Sequence, residues 1–350
     1  MTEISTQLLL HGIAKLYILS RRRDKYDAAV DIWRRNPHIQ LETDGEIQRT
    51  EFIQCDLGDM VQVRRAAWDI RKRTDRLDIL ICNAGLPIDP PPHTHVPPVS
   101  PQSIEAIFAT NHVGHYILTV LLLPLLHSTI ARFPDATSAR IVVTASSLHS
   151  LCRELDFNLL TPSEGTPTKS ACYDGIWRYG RSKLANILST RELNRRLMEG
   201  GLREVLTTVV NGEGRRNESV MDENGTDEEA SKRIYVNSFF PGNIATDQMN
   251  IWRGYLGTVL GKAFKMFFSV AGQSTQDAAA TALYLAASGD IVEGSGVRGQ
   301  YFVPVAKRAE TSRIAGDMKL ARQLWDWTDR KVAEVLGDGW QRNAISEGIC

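Results

Sequence analysis

The chain has no excess of either charge: 41 Lys and Arg balance 41 Asp and Glu over 350 residues. A neutral balance leaves no electrostatic footprint for nucleic acid, which is not an expected partner. Cysteine is scarce and unpatterned. Cys55, Cys82, Cys152, Cys172 and Cys350 form no C-x-x-C pair, so dithiol motifs and zinc ribbons are excluded and no metal is expected. An odd number of scattered thiols points to a reducing, intracellular compartment. Residues 1–6 are mostly polar, and the apolar stretch 8–10 is too short for a secretory signal. No segment reaches the ~18 uninterrupted apolar residues of a membrane span; the nearest, 255–270, is broken by Lys262 and Lys265. A cytoplasmic location is expected, with peripheral membrane association left open. There is no internal repeat.

What is present alternates. Short apolar runs at 15–20 (KLYILS), 52–55, 77–82, 141–145, 235–240 and 300–303 are separated by stretches with helical character. The helical stretches are 60–74, 100–124, 173–198 and 275–287, with a closing amphipathic segment at 315–336. Ser100 is the expected cap of the 100–124 stretch, with Pro101 at its first helical position. Buried strands alternating with helices of ten or more residues predict βαβ units and a parallel sheet. One domain over 1–340 with a tail at 341–350 is expected. Its interruptions are a polar insertion at 211–231, rich in Asn, Glu, Asp and Gly, and a lid-like segment at 251–272. That segment carries Trp252, Tyr255, Phe264, Phe267 and Phe268, which suits a lipophilic substrate or, equally, a core or dimer contact.

The strongest chemical signal is Tyr179-Gly-Arg-Ser-Lys183 within a helix, where residues four apart share a face. A phenol of pKa about 10 exchanges protons poorly at neutral pH; bringing it to ~7 takes roughly 4 kcal/mol of electrostatic help. Lys183 is the candidate source of that help. The run 141–147 is a strand ending in two hydroxyls, Ser146 and Ser147, and open parallel sheets bind ligands at the carboxyl ends of their strands. A second strand ends at Asn83-Ala84-Gly85, where small residues admit a ligand to the backbone. Asn111 sits inside a helical stretch, where it marks a bend or a water site. Pro241-Gly242 follows the fifth strand.

Together these residues resemble the short-chain dehydrogenase/reductase superfamily over roughly residues 3–303. The motifs fall in the family's order: D-L at Asp56-Leu57, N-A-G at Asn83 to Gly85, N-H-V-G-H at Asn111 to His115, S-S at Ser146-Ser147, Y-x-x-S-K at Tyr179 to Lys183, and P-G at Pro241-Gly242. The branch it is similar to contains retinol dehydrogenases and WW-domain oxidoreductases, with fungal relatives found in natural-product pathways. The resemblance implies a Rossmann-type doubly wound parallel sheet in three αβα layers. It implies oxidoreduction between a ketone or aldehyde and an alcohol on a lipophilic small molecule; a sterol or retinoid is the narrower option, and homodimerisation stays open. In it Tyr179 is the general acid/base, Lys183 lowers the phenol's pKa and holds the nicotinamide ribose, and Ser147, rather than Ser146, orients the carbonyl. Asn111 completes a relay to Lys183. Asp56 belongs at the adenine and Asn83 at the adenosine ribose, with Leu57, Ala84 and Gly85 also cofactor-binding. Ile244 and Thr246 belong at the nicotinamide carboxamide, and Pro241 and Gly242 are also cofactor-binding. Strand 15–20 ends on Ser20 and runs into Arg21, Arg22 and Arg23 with no acid to take a ribose 2′-hydroxyl, so NADP(H) is the expected cofactor.

One departure stands out. The family's opening strand and Gly-rich turn have no counterpart, and residues 2–11 read as the helix that should follow them. The sheet is therefore expected to lack its first, central strand, leaving a gap between strands 15–20 and 77–82. A mis-called start site is the favoured explanation. A catalytically degenerate interaction protein and a substitute strand, such as 202–210, are the others.

Overall fold

The computed structural model describes residues 2–43, 47–89, 97–163, 174–206, 226–243, 255, 274–294 and 296–342. The amino-terminal part comprises helix α1 (Thr2–Leu10), strand β1 (Leu16–Ser20), helix α2 (Arg23–Arg34), the two-residue strands β2 (Glu42–Thr43) and β3 (Ile47–Gln48), and strand β4 (Thr50–Gln54). Helix α3 (Met60–Arg73) follows, its N-cap Asp59 accepting from the Val61 amide. The remaining strands are β5 (Ile79–Cys82), β6 (Ala139–Thr144), β7 (Ile234–Phe239), β8 (Tyr301–Val303) and β9 (Lys307–Ala309).

β5, β6, β7 and β8 pair in parallel in that order, and β9 closes the edge antiparallel. β1 and β4 form a separate parallel pair, registered from Leu16 opposite Thr50 to Ser20 opposite Gln54. Among the described residues no ladder joins β1 to β5, so the sheet is interrupted at the expected place. The proposed substitute segment does not bridge it: Arg203–Leu206 is a helical turn, and 207–210 lie outside the described residues.

Alternation along β6 explains the layering. Ile141 packs with Leu184 and Leu188 in the larger core, whereas Val142 turns to Phe239, Leu285 and Phe302 on the opposite face. The first face carries α3, helix α5 (Gly114–Arg132), helix α6 (Asp174–Met198) and the carboxy-terminal helix Met318–Leu336. The second carries α1 and the helix Thr275–Ala287, which starts on a Ser274/Asp277 capping box. A small third core, with Leu9, Tyr26, Val30 and Trp33, holds α1, α2 and β1 together.

Two sequence expectations are corrected. Ser100 and Pro101 do not start a helix. Ser100 instead closes a turn with its hydroxyl accepting from the Ile104 amide, and the short helix α4 (Ala106–Phe108) is capped by Glu105. Nor does Pro124 end it, since α5 runs on to Arg132. By length and apolarity the stretch Ala106–Arg132 could cross a membrane, but it is the central core helix, almost wholly buried. Of the insertion 211–231, Thr226–Ser231 is helical and the rest falls outside the described residues. So does the lid-like segment, Tyr255 excepted.

Candidate active site

The carboxyl ends of β1, β4, β5 and β6 open into one cavity of about 460 Å³. Ten of the residues singled out from sequence line it: Ser20, Arg21, Asp56, Leu57, Asn83, Ala84, Gly85, Tyr179, Lys183 and Pro241. The cavity is also lined by residues that sequence reasoning passed over, chiefly Glu3 and Ile4 of α1, Thr110, Thr144 and the face Thr275, Ala278 and Ala279. Small side chains on that helix are the signal that could have found them.

At one end Ser20 and Arg21 leave β1. The Ser20 hydroxyl accepts from the Arg22 amide, bending the chain. Arg21 reaches across to Asp56 at 3.8 Å. Asp56 also accepts from the Gly58 amide, which fixes its carboxylate. Arg22 and Arg23 do not join the cavity: they pair with Asp24 and Asp27 on the first turns of α2, and Arg23 stacks over Tyr26 and Phe52. The sequence expectation of three cavity guanidiniums is thus reduced to one.

At the other end α6 presents Tyr179 and Lys183. Lys183 Nζ donates to the Thr144 carbonyl at 3.1 Å, beside Asn186 Nδ2 at 2.9 Å from the same oxygen. The ammonium also lies 5.5 Å from the Tyr179 ring centroid, over its face. Burial alone lowers its pKa to about 8. Burial pushes the Tyr179 phenol up to about 12, opposed by a hydrogen bond with Ser146. Lys183 thus stands beside the phenol, where a cation favours the phenolate, while burial acts in the opposite direction.

The two serines face differently. Ser146 is buried, partners Tyr179 and caps the turn Ser147–Leu151 through the Leu148 amide. Ser147 is exposed. The turn lies close on α6, where a Cβ on Gly180 would come 2.9 Å from the Leu148 carbonyl.

Asn111 stands behind the cavity wall, in a π-helical turn, Ala109–Val113, inserted between α4 and α5. Such bulges recur at functional sites. Its side chain accepts from the Leu86 amide at 2.6 Å and donates to the Leu86 carbonyl and to Ser182 Oγ, each at 3.1 Å. Gly85 is required here, since a Cβ would meet Asn111 Oδ1 at 2.7 Å. Asn83 accepts from the Thr144 hydroxyl at 3.2 Å. Gly242, with φ +96°, turns the chain beyond Pro241 but is not among the cavity-lining residues. Ile244 and Thr246 lie outside the described residues.

The residue chemistry suits a phosphorylated dinucleotide at both ends of the cavity: a guanidinium and a carboxylate at one, an ammonium and a phenol at the other, and a side-chain-free backbone at Gly85 between them. Less suited is Glu3, an acid that also lines this space and accepts from Gln7 Nε2 at 2.9 Å, and no Gly-rich turn is present among the described residues.

Residues 11–151 match the sequence family described as short chain dehydrogenase. Mouse retinol dehydrogenase 14 is 34% identical over 296 residues, 84% of this chain and 68% of its own length. The short-chain dehydrogenase/reductase drtF of Aspergillus calidoustus is 27% identical over 93% of this chain and 88% of its own. The Neurospora crassa protein bli-4 is 34% identical, but the match spans 59% of this chain and only 47% of that protein. The fold is shared with the Pseudomonas aeruginosa RhlG/NADP complex: TM-score 0.52, 19% identity, 86% of this chain and 88% of that one. It is also shared with levodione reductase: TM-score 0.52, 17% identity, 92% and 93%.

Proposed function

This chain belongs to the short-chain dehydrogenase/reductase family, and from that premise we propose that it is an NADP(H)-dependent oxidoreductase interconverting a carbonyl and an alcohol on a lipophilic small molecule. The observation that carries this reading is the single cavity in which Arg21 and Asp56 stand at one end and Tyr179 and Lys183 at the other. When bound, the cofactor supplies or accepts the hydride. Arg21 would hold a 2′-phosphate, Asp56 the adenine, Asn83 and Lys183 ribose hydroxyls. Tyr179, kept as a neutral phenol by its burial, donates the proton to the carbonyl oxygen in reduction. Ser146, already bonded to that phenol, orients the same oxygen. Asn111 keeps the 83–86 loop in place through Leu86. A fungal natural-product pathway is the setting we propose, by analogy with fungal relatives such as drtF; a sterol or retinoid is the narrower substrate option. The buried cysteines Cys55, Cys82 and Cys152, none of them in a disulfide, suit a reducing compartment such as the cytoplasm.

A second reading, a binding protein that has lost turnover, is favoured by one feature, Glu3 in the cavity. Fluorescence titration with NADPH separates the two. Saturable binding in the micromolar range, with carbonyl reduction abolished by Tyr179→Phe, supports the enzyme; no binding at millimolar NADPH supports the alternative.

A further inference from the structure

The N-H-V-G-H motif supplies more than Asn111. His112 and His115 are both buried, and both are held neutral by that burial, at pKa values of about 3 and about 4. His115 Nδ1 lies 3.1 Å from the Asn111 carbonyl. A carbonyl only accepts, so Nδ1 carries the proton and Nε2 is left as an acceptor. No protein donor reaches Nε2 among the described residues. The ring instead lines a small, partly open space of about 30 Å³, shared with Cys82, His112, Thr119, Asn186 and Ser189. That is room for about one water, with enough polar neighbours to hold it.

The position of this bond matters because of the bulge. In the turn Ala109–Val113 the Gly114 amide donates five residues back, to Ala109, which puts the intervening carbonyls out of step with the α-helical ladder. The helix is pinned there, because a Cβ on Gly114 would fall 2.1 Å from the Leu57 carbonyl. The bulge in turn sets where the Asn111 amide meets Leu86, and so the path of Asn83 to Gly85 along the cavity.

We infer that His115 is a positioning residue for this site: its Nδ1–H holds the Asn111 carbonyl, a cavity water occupies its Nε2, and the pair locks the bulge that clamps the 83–86 loop. Its neighbours on every side are consistent with a neutral ring. Lys183 is the nearby cation that opposes protonation, and Asn186, Thr119 and Cys82 are uncharged.

The test is native-state hydrogen exchange on the whole cofactor-free chain, read at the Leu86 amide, with three variants. An Asn side chain places its amide nitrogen near the position of imidazole Nδ1, Gln near Nε2, and Leu offers neither. The Leu86 amide should exchange about tenfold faster in His115→Gln and His115→Leu, the effect of roughly one lost hydrogen bond. His115→Asn should restore slow exchange, and the Val236 amide in the sheet should not change. Equal Leu86 rates in all variants, or equal acceleration at Val236, would overturn the inference. So would ¹⁵N NMR of the parent chain showing the Nε2–H tautomer, an arm that needs no variant to fold. Any consequence for turnover rests on the function proposed above; the exchange measurement does not, so the two fail separately.

Discussion

Three consecutive arginines end β1, yet only one faces the cavity, and this makes a sharp prediction for cofactor choice. Arg22 and Arg23 are engaged with Asp24 and Asp27 on the outer surface of α2. Arg21 lines the cavity and, among the described residues, pairs only with the distant Asp56 oxygen at 3.8 Å, with 56% of its side chain exposed. A guanidinium bonded to a phosphate contributes about 1.5–3 kcal/mol; half exposure places Arg21 at the low end, about 1.5–2 kcal/mol once solvent screening is allowed for. Its exposed pair with Asp56 is worth ~1 kcal/mol at most, so losing it barely perturbs the fold. Arg21→Ala should therefore weaken NADPH binding about 10- to 30-fold and leave NADH binding nearly unchanged. Arg22→Ala and Arg23→Ala should each stay within about twofold. The assay is a fluorescence titration of each variant with both cofactors at 0.15 M salt. An unchanged NADPH/NADH affinity ratio in Arg21→Ala would refute the reasoning, as would an equal loss in Arg22→Ala, because the structure separates those two guanidiniums.

Ser146→Ala should lower kcat about 100-fold or more, in the range of a lost proton-transfer partner, whereas Ser147→Ala should leave it within about threefold; the reverse order in steady-state kinetics would reassign the carbonyl-orienting hydroxyl to Ser147. Glu3→Gln removes the charge of a cavity-lining acid and should tighten NADPH about two- to fivefold, which calorimetry can read; weaker binding would show that Glu3 does not oppose the phosphates. Lys183 is held at a pKa of about 8 against an ordinary 10.5, so the fold carries a cost of about 3 kcal/mol below pH 8 that shrinks between pH 8 and 10.5 and vanishes above. Lys183→Met forgoes the bond to Thr144, about 1 kcal/mol. The cofactor-free variant should thus be about 2 kcal/mol more stable at pH 7 and no more stable at pH 11; denaturant melts showing no gain at pH 7 would contradict the burial argument.

β1, β4, β5, β6, β7 and β8 were legible because each is a short apolar run, and their ends were read to within about two residues; the two-residue β2 and β3 and the largely exposed edge strand β9 carry no such run and were not read. Asn111 was legible for a different reason: an Asn amid apolar helix formers signals an irregular turn, and a π turn is what occupies that place. Ser100-Pro101 misled because cap signals are local, while the choice of cap is made by packing; Ser103 adopts φ +59° and Glu105 takes over. Pro124 misled similarly, since a buried helix can bypass one missing amide. Which serine meets Tyr179, and which arginine enters the cavity, depend on the turn beyond a strand end. There the strand's alternation stops and no period remains to read. The closeness of α1 to the helix Thr275–Ala287, which brings Glu3 into the cavity, is a long-range contact with no motif to announce it.

Among the described residues, the break between β1 and β5 assigns the two ends of the cavity to two separate strand ladders. Arg21 and Asp56 ride with the β1–β4 pair, Tyr179 and Lys183 with the five-stranded sheet, and helix packing with a few side-chain hydrogen bonds, such as those of Gln102 with Asp59 and Met60 and of Arg71 with the Leu121 carbonyl, sets the spacing between them. A ladder is stiff and short-ranged; packing against α1 and α3 is softer. A molecule long enough to touch both ends would then serve as a crossbeam, converting two loosely coupled bodies into one cooperative unit. Ligand affinity and unfolding cooperativity become two readings of the same coupling.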